Sequence, residues 1–169
     1  MKRLKNMVKL KKIAKSIKLI ATDIDGVWTD AKMYYTEDGE YMKSFSTHDG
    51  MATALLKNEK IEIAILTSEN SEIVNTRAKK LGIKYVYINE KEKLLRIQYL
   101  CNRLNINIHE VAYIGDDIND LEVLNNVGLS AMPSNSPILD QINPDYITKR
   151  KGGDGAFREF VDLIVKYRK

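Results

Sequence analysis

The chain has 169 residues, of which 44% are hydrophobic and 30% charged, and its formal net charge is +4 at pH 7. That length fits one globular domain able to bury a core without disulfides or metal staples. No apolar run approaches the roughly 18 residues needed to cross a membrane, no signal peptide is expected, and the one cysteine, Cys101, cannot pair internally, so a cytoplasmic setting is expected.

The basic charge is uneven. Residues 1–22 carry many lysines and no acid, which leaves the remainder close to neutral or slightly acidic. Leu4, Met7, Val8, Leu10, Ile13, Ala14 and Ile17 recur at near-helical spacing, predicting an amphipathic helix over residues 1–16. Its lysines read as a solvated face. They are not interleaved with aromatics and no base-reading motif follows, so neither a nucleic-acid partner nor a membrane is expected.

Beyond this helix the pattern alternates. Buried strands are predicted at Ile17–Thr22, Ile61–Thr67, Lys84–Ile88, Val111–Gly115 and Gly128–Met132, with a shorter one at Tyr146–Thr148. Between them lie helical patterns at Asp49–Asn58, Ser71–Leu81, Lys91–Leu104, Ile118–Asn126 and Ala156–Tyr167. Gly82, Asn105 and Gly128 stand where left-handed helix stops belong. Alternation of this kind predicts an α/β fold, a Rossmann-like parallel sheet with helices on both faces. One segment breaks the rhythm. Ala31–Tyr35 and Tyr41–Ser46 flank Thr36–Glu40, which contains Asp-Gly, and read as a β-hairpin flap over residues 28–46. No linker divides the chain, so 1–169 is expected to be one domain ending in a tail from residue 149.

In such a sheet ligands bind beyond the carboxyl ends of the strands. The first strand ends in Asp23 and Asp25, the second in Thr67-Ser68-Glu69, and the strand at Val111 in Asp116-Asp117, with Asp120 one turn on; Lys93 opens a helix between. Singly, each of these is a common turn or helix start. Together, at three strand ends, they point to a site. Several carboxylates in one mouth repel unless a cation is present. The candidate ligands are hard oxygens without histidine or cysteine at ligand spacing, so Mg²⁺ is the expected ion and phosphoryl chemistry the expected reaction.

Asp23-Ile24-Asp25-Gly26, Thr67, Lys93 and Gly115-Asp116-Asp117-Ile118-Asn119-Asp120 resemble, in order, the four motifs of the haloacid dehalogenase superfamily of phosphohydrolases. A hairpin in place of an inserted domain is similar to its capless subclass. Within it, the stretches Thr22–Asp30, Phe45–Gly50 and Lys151–Glu159 resemble small phosphatases of 2-keto-3-deoxy sugar acids. The resemblance implies Asp23 as nucleophile, Asp25 as general acid and base, and Thr67 and Lys93 as phosphoryl-binding groups. It further implies a Mg²⁺ site from the Asp23 carboxylate, the Asp25 main-chain carbonyl and Asp116. Gly26 would let the backbone approach the phosphate; Asp117 is expected to orient Lys93 or a metal-bound water, and Asp120 to support the loop. The resemblance also implies a homo-oligomer, a tetramer built through the hairpins, whose tails close over neighbouring sites. Arg158 is then a candidate for the substrate carboxylate.

Some readings stay open at this stage. His48 is either a sugar-acid contact or exposed loop, and Asp49 an N-cap; His109 is expected at the surface and Cys101 in the core. Ser68 and Glu69 stand where phosphatases of 3-deoxy-D-manno-octulosonate (KDO) 8-phosphate resemble Gly-Arg. This feature, with Trp28, favours a nonulosonate 9-phosphate (KDN or sialic acid type) as substrate; KDO 8-phosphate is the alternative, although Asn70 departs from the Lys of the nonulosonate pattern. Two rivals remain. A receiver domain uses similar residues in another order, and a catalytically silent phosphatase-like module would not need Asp23, Asp25, Lys93 and Asp116 intact.

Overall fold

The computed structural model describes residues 10–168. Its centre is a six-stranded parallel sheet in the order β5-β4-β1-β6-β7-β8. The strands are β1 (Leu19–Thr22), β4 (Glu62–Leu66), β5 (Tyr85–Tyr87), β6 (Val111–Ile114), β7 (Leu129–Met132) and β8 (Tyr146–Ile147). Each lies within its predicted stretch. The chain reverses direction across the sheet at β1, between β4 and β6, which is where the first pair of acids leaves the sheet.

Side chains alternate between the two faces, and each face has its own core. Ile20, Ile63, Ile65, Ala112, Ile114 and Leu129 pack under one group of helices. These are α1 (described over residues 10–16), α2 (Thr47–Asn58), α3 (Glu72–Leu81) and α6 (Ala156–Arg168). Leu19, Ala21, Ala64, Leu66, Val111 and Tyr113 face α4 (Lys93–Leu104) and α5 (Leu121–Asn126). Ala14 and Ile17 are buried and Leu10 and Ile13 pack beside them, so the described part of the basic N-terminal segment is a helix docked on the domain. The rest of that predicted helix, residues 1–9, lies outside the described residues.

Gly82 and Asn105 are left-handed stops as expected, at φ 65° and 52°. Gly128 is not. The end of α5 is capped at Val127 in extended conformation, and Gly128 is small because a Cβ there would lie 1.9 Å from the His109 carbonyl oxygen. Ser46, rather than Asp49, is the N-cap of α2, accepting from the His48 N–H at 3.2 Å. Asp49 is instead buried against the start of α6, where its Oδ1 accepts from the Arg158 N–H at 2.8 Å. Burial pushes its carboxyl up to about 6.

The hairpin exists, with a shorter turn than expected. Strands β2 (Tyr34–Thr36) and β3 (Gly39–Met42) enclose a two-residue turn, Glu37-Asp38. The stretch expected as a five-residue turn is therefore mostly strand, and a bulge at Tyr34/Tyr35 absorbs the offset. From Ala156 on, the segment expected as a tail is a helix of the core: Phe157, Phe160, Val161 and Ile164 are fully buried. The Lys151–Gly155 turn before it lies against the loop that follows β1. A Cβ at Gly152 would come within 1.8 Å of the Gly26 carbonyl oxygen, and the Gly153 N–H donates to Val27 O at 3.1 Å.

Candidate active site

The chain continues the β1 ladder for one residue, the Asp23 N–H donating to Ile114 O at 3.0 Å, and then turns sharply. The N–H groups of Val27, Trp28 and Thr29 all converge on Ile24 O. The turn requires glycine at position 26 twice over. Its φ is +90°, and a Cβ there would sit 1.8 Å from Asp116 Oδ2. Trp28 anchors the turn from below, stacked on Phe157 at 4.6 Å with its Nε1–H on Thr22 Oγ1 at 3.1 Å. Being fully buried, Trp28 touches the core rather than a ligand, so it carries no information about substrate.

Asp23 and Asp116 come together with Asp120: one carboxylate oxygen from each lies within 4.8 Å of the others. Lys93 is paired with two of the three. Lys93, on the first turn of α4 and buried, places Nζ 2.7 Å from Asp120 Oδ1 and 3.1 Å from Asp23 Oδ1. Asp120 is the better satisfied partner. It also accepts from the Tyr113 hydroxyl at 2.5 Å and, through Oδ2, from the Asp116 and Asp117 N–H groups at 2.9 and 3.3 Å. It is therefore Asp120 that orients Lys93, while supporting the loop as expected. Asp117 does not. It is exposed, and its carboxylate caps the 3₁₀ turn Ile118–Asp120 by accepting from the Ile118 N–H at 2.7 Å.

With one ammonium among three buried carboxylates, negative charge is in excess. Burial, followed by the Asp120 charge, pushes Asp23 up to about 7 despite Lys93. Burial and the charges of Asp23 and Asp120 push Asp116 up to about 8. Both carboxyls thus stand above the ordinary carboxylate range, and a bound cation would lower them again. Asp116 Oδ1 is buried without a hydrogen-bond partner among the described residues. A bare acceptor beside Asp23, in an all-oxygen set, fits a hard divalent ion. Asp120, with both oxygens engaged, does not need to ligate it. The Asp25 side chain is outside this cluster.

The Asp25 carboxylate turns toward the flap. Lys43, just past β3, has a side chain with no solvent exposure, and its Nζ lies 2.6 Å from Asp25 Oδ1 and 2.7 Å from Glu40 Oε1. Burial opposes its charge, but those two partners outweigh it and hold the ammonium above the ordinary lysine value. Glu40 in turn accepts from the Ser71 hydroxyl. Ser71 thus spends its side chain on the flap instead of capping α3.

Asp23, Asp25, Asp116 and Asp117 line a cleft of about 220 Å³ with Thr67, Ser68, Glu69, Ala31 and Asn119. The Thr67 hydroxyl accepts from the Glu69 N–H at 3.2 Å, which leaves its proton to offer the cleft. Ser68 is pinned from two sides, donating to Glu90 O at 3.2 Å and accepting from Asn119 Nδ2 at 3.0 Å. Glu69 is exposed at the rim. Within this chain His48 and Arg158 are not brought to that cleft. They share a separate groove with Tyr146 and Glu159, and Arg158 Nε pairs with Asp162 Oδ1 at 2.8 Å. His109 is exposed and Cys101 buried, as expected.

Sequence reasoning missed Lys43, Glu40 and Tyr113, and named Asn119 within its motif without giving it a role. Lys43 is one lysine among many, and its partner Asp25 lies 18 positions away, so no local spacing marks the pair. Tyr113 shows only as an apolar strand residue.

The family model described as haloacid dehalogenase-like hydrolase matches residues 40–128. The 3-deoxy-D-manno-octulosonate 8-phosphate phosphatase of Escherichia coli K12 is 36% identical over 152 residues, covering 90% of this chain and 81% of the relative. The same-named phosphatase of Moraxella catarrhalis, solved with magnesium, phosphate and KDO, superposes with a TM-score of 0.90 at 37% identity, covering 95% of this chain and 92% of that one. A cobalt-bound structure of the Haemophilus influenzae phosphatase gives a TM-score of 0.88 at 34% identity, covering 92% of this chain and 91% of that one.

Proposed function

Because this chain belongs to the haloacid dehalogenase-like hydrolases, we propose that it hydrolyses the phosphate monoester of KDO 8-phosphate. It is a phosphoric monoester hydrolase with Mg²⁺ as cofactor. The observation that carries the substrate reading is the similarity to KDO 8-phosphate phosphatases along almost the whole chain. That similarity shifts the weight away from the nonulosonate expected from Glu69 and Trp28. Trp28 lies in the core and cannot discriminate. Glu69 does line the cleft, and this keeps a nonulosonate 9-phosphate as the second reading. Phosphate release measured side by side from KDO 8-phosphate, KDN 9-phosphate and sialic acid 9-phosphate decides between them. The account expects the highest kcat/KM for KDO 8-phosphate, and a higher value for either 9-phosphate overturns it.

In the proposed mechanism Asp23 attacks phosphorus in line. The P–O ester bond breaks, its electron pair stays on the sugar oxygen, and Asp25 supplies that oxygen with a proton. Asp25 then takes a proton from the water that cleaves the aspartyl phosphate. Lys93 holds Asp23 in place and balances charge at the phosphoryl oxygens, and Thr67 donates its hydroxyl to them. Gly26, without a side chain, keeps the turn clear where the phosphate approaches. The Asp23 and Asp116 carboxylates and the Asp25 carbonyl would hold Mg²⁺, which neutralises the phosphoryl charge when bound. Ser68, Glu69 and Asn119 form the rim that meets the sugar.

We take residues 1–169 as one phosphatase domain that works as a homo-oligomer, a tetramer, in the cytoplasm. Among the described residues no inserted domain covers the cleft. The flap displays Met33, Tyr34, Tyr35, Tyr41 and Met42 to solvent, with Tyr35 62% and Tyr41 69% exposed. Such a patch suits a copy of the same chain. Arg158 would meet a substrate carboxylate only in a neighbour's site. Among the described residues no helix is long and apolar enough to cross a membrane.

A further inference from the structure

Asp116 is held by more than Asp120. Two peptide planes meet at its Cα, and both are tied. The Asp116 and Asp117 N–H groups donate to Asp120 Oδ2 at 2.9 and 3.3 Å, and the Asp116 carbonyl accepts from the Ser136 hydroxyl at 2.5 Å, 20 positions along the chain. With both planes fixed, the direction of the Asp116 side chain is fixed as well.

Ser136 ends the turn Pro133-Ser134-Asn135-Ser136 that follows β7, closed by its N–H on Pro133 O at 3.1 Å. Pro137 restricts its backbone from the other side. Ser136 is buried, its one proton is spent on Asp116 O, and its oxygen accepts from the Ile138 N–H at 3.3 Å. The same turn is bonded toward β1. Asn135 Oδ1 accepts from the Gly152 N–H at 2.9 Å, and the Gly153 N–H reaches Val27 O at 3.1 Å, in the turn that carries Asp25 and Gly26. The Pro133–Ser136 turn therefore stands between the two loops that carry the acids, joined to each.

We propose that Ser136 is a positioning residue for the metal site: its hydroxyl fixes the Asp116 carbonyl and with it the direction of the Asp116 carboxylate, and Asn135 sets that turn against the loop of Asp25. This rests on the reading of the Asp116 carboxylate and the Asp25 carbonyl as magnesium ligands. Without the hydroxyl the peptide between Asp116 and Asp117 is free to turn, and the carboxylate turns with it. Mg²⁺ demands near-ideal octahedral geometry, so a displaced ligand weakens its binding.

The test is a magnesium titration without substrate. Magnesium chloride is added to the metal-free protein in a calorimeter at about pH 7.5, where its ligands lose protons readily to the metal. Ser136→Ala is expected to raise the Kd at least about tenfold, the usual loss when a ligand's support is removed. Asn135→Ala should raise it at least about threefold, and Ser136→Thr, which keeps the hydroxyl, should stay within about threefold of the wild type. Ser134→Ala is the control. Its hydroxyl donates to Lys149 O at 3.2 Å from the same turn and touches neither acid-bearing loop, so the Kd should not change. The melting temperature of the metal-free variants, recorded in parallel, separates placement from packing: a merely structural serine lowers it and leaves the Kd where it was. A wild-type Kd in Ser136→Ala, or a loss as large in Ser136→Thr or Ser134→Ala, overturns the inference. Asp116→Asn separates the two claims. If it weakens magnesium binding and Ser136→Ala does not, the positioning role alone falls; if it binds magnesium as the wild type does, the metal-site reading falls and takes the inference with it. Should Ser136→Ala fail to fold, Asn135→Ala decides by its own criterion.

Discussion

Lys93 Nζ sits 2.7 Å from Asp120 Oδ1, deep beneath the cleft, and this pair organises the acids above it. Asp120 is fully buried, and its other oxygen gathers the N–H groups of Asp116 and Asp117, so one carboxylate sets both the lysine and the loop that carries Asp116. The glycine before that loop is part of the same packing, since a Cβ at Gly115 would lie 2.4 Å from the Asp120 Cγ.

Removing one member of a buried ion pair strands the other. Asp120→Ala is expected to destabilise the fold by about 3–5 kcal/mol. Asp117→Ala loses only a cap at an exposed position and should cost about 1 kcal/mol. Urea denaturation of the two variants, read as midpoint shifts at constant slope, checks the contrast. Similar costs for both would show that Asp120 is not the organising carboxylate.

Metal and pH are coupled through Asp23 and Asp116. Their folded values, about 7 and about 8, stand above the ordinary carboxylate value of 3.8. Between these limits the unfolded chain has released protons that the folded chain keeps. The contribution to stability is therefore full at low pH and is lost as pH rises through about 7 to 8. In EDTA the melting temperature is expected to fall from about pH 5.5 to about pH 8, and Asp116→Asn should flatten that slope. Saturating Mg²⁺, which binds the deprotonated acids, should raise the melting temperature more at about pH 8 than at about pH 5.5. A larger magnesium effect at the lower pH would contradict the assignment.

The glycine between the acid pair and the metal site has no room to change. At φ +90°, with Asp116 Oδ2 1.8 Å from any Cβ, Gly26→Ala must move either the turn or the Asp116 carboxylate. Its apparent affinity for magnesium, from activity titrations, should fall at least about tenfold, as for loss of a metal-orienting group. Unchanged affinity would place Asp116 outside the metal site.

Much of this was legible in the sequence where chemistry and position coincide. A parallel sheet buried on both faces writes itself as continuous apolar runs, and Asp23, Asp25, Thr67 and Asp116 stood out because acids and a hydroxyl close three such runs at once. What stayed hidden depends on the third dimension. Asp117 and Asp120 look alike as flanking acids, and only the 3₁₀ turn at Ile118 swings the second inward and the first out. The hairpin turn was drawn too long, since Thr36, Gly39 and Glu40 pair in the strands and only Glu37-Asp38 form the turn. Lys43 reads as one more surface lysine until the flap folds back and buries it on Asp25. His48, left open between a sugar-acid contact and exposed loop, and Arg158, given by resemblance to a neighbour's site, share a different groove of the same chain.

The central claim is that Asp23 is the group that takes the phosphoryl from KDO 8-phosphate. The most direct measurement is the initial rate of phosphate release from that substrate, in saturating Mg²⁺, by the wild type and by Asp23→Asn. The account predicts turnover by the wild type and a rate at least about 10⁴-fold lower for the variant, the scale of losing a nucleophile. An Asp23→Asn enzyme that releases phosphate at the wild-type rate would contradict it.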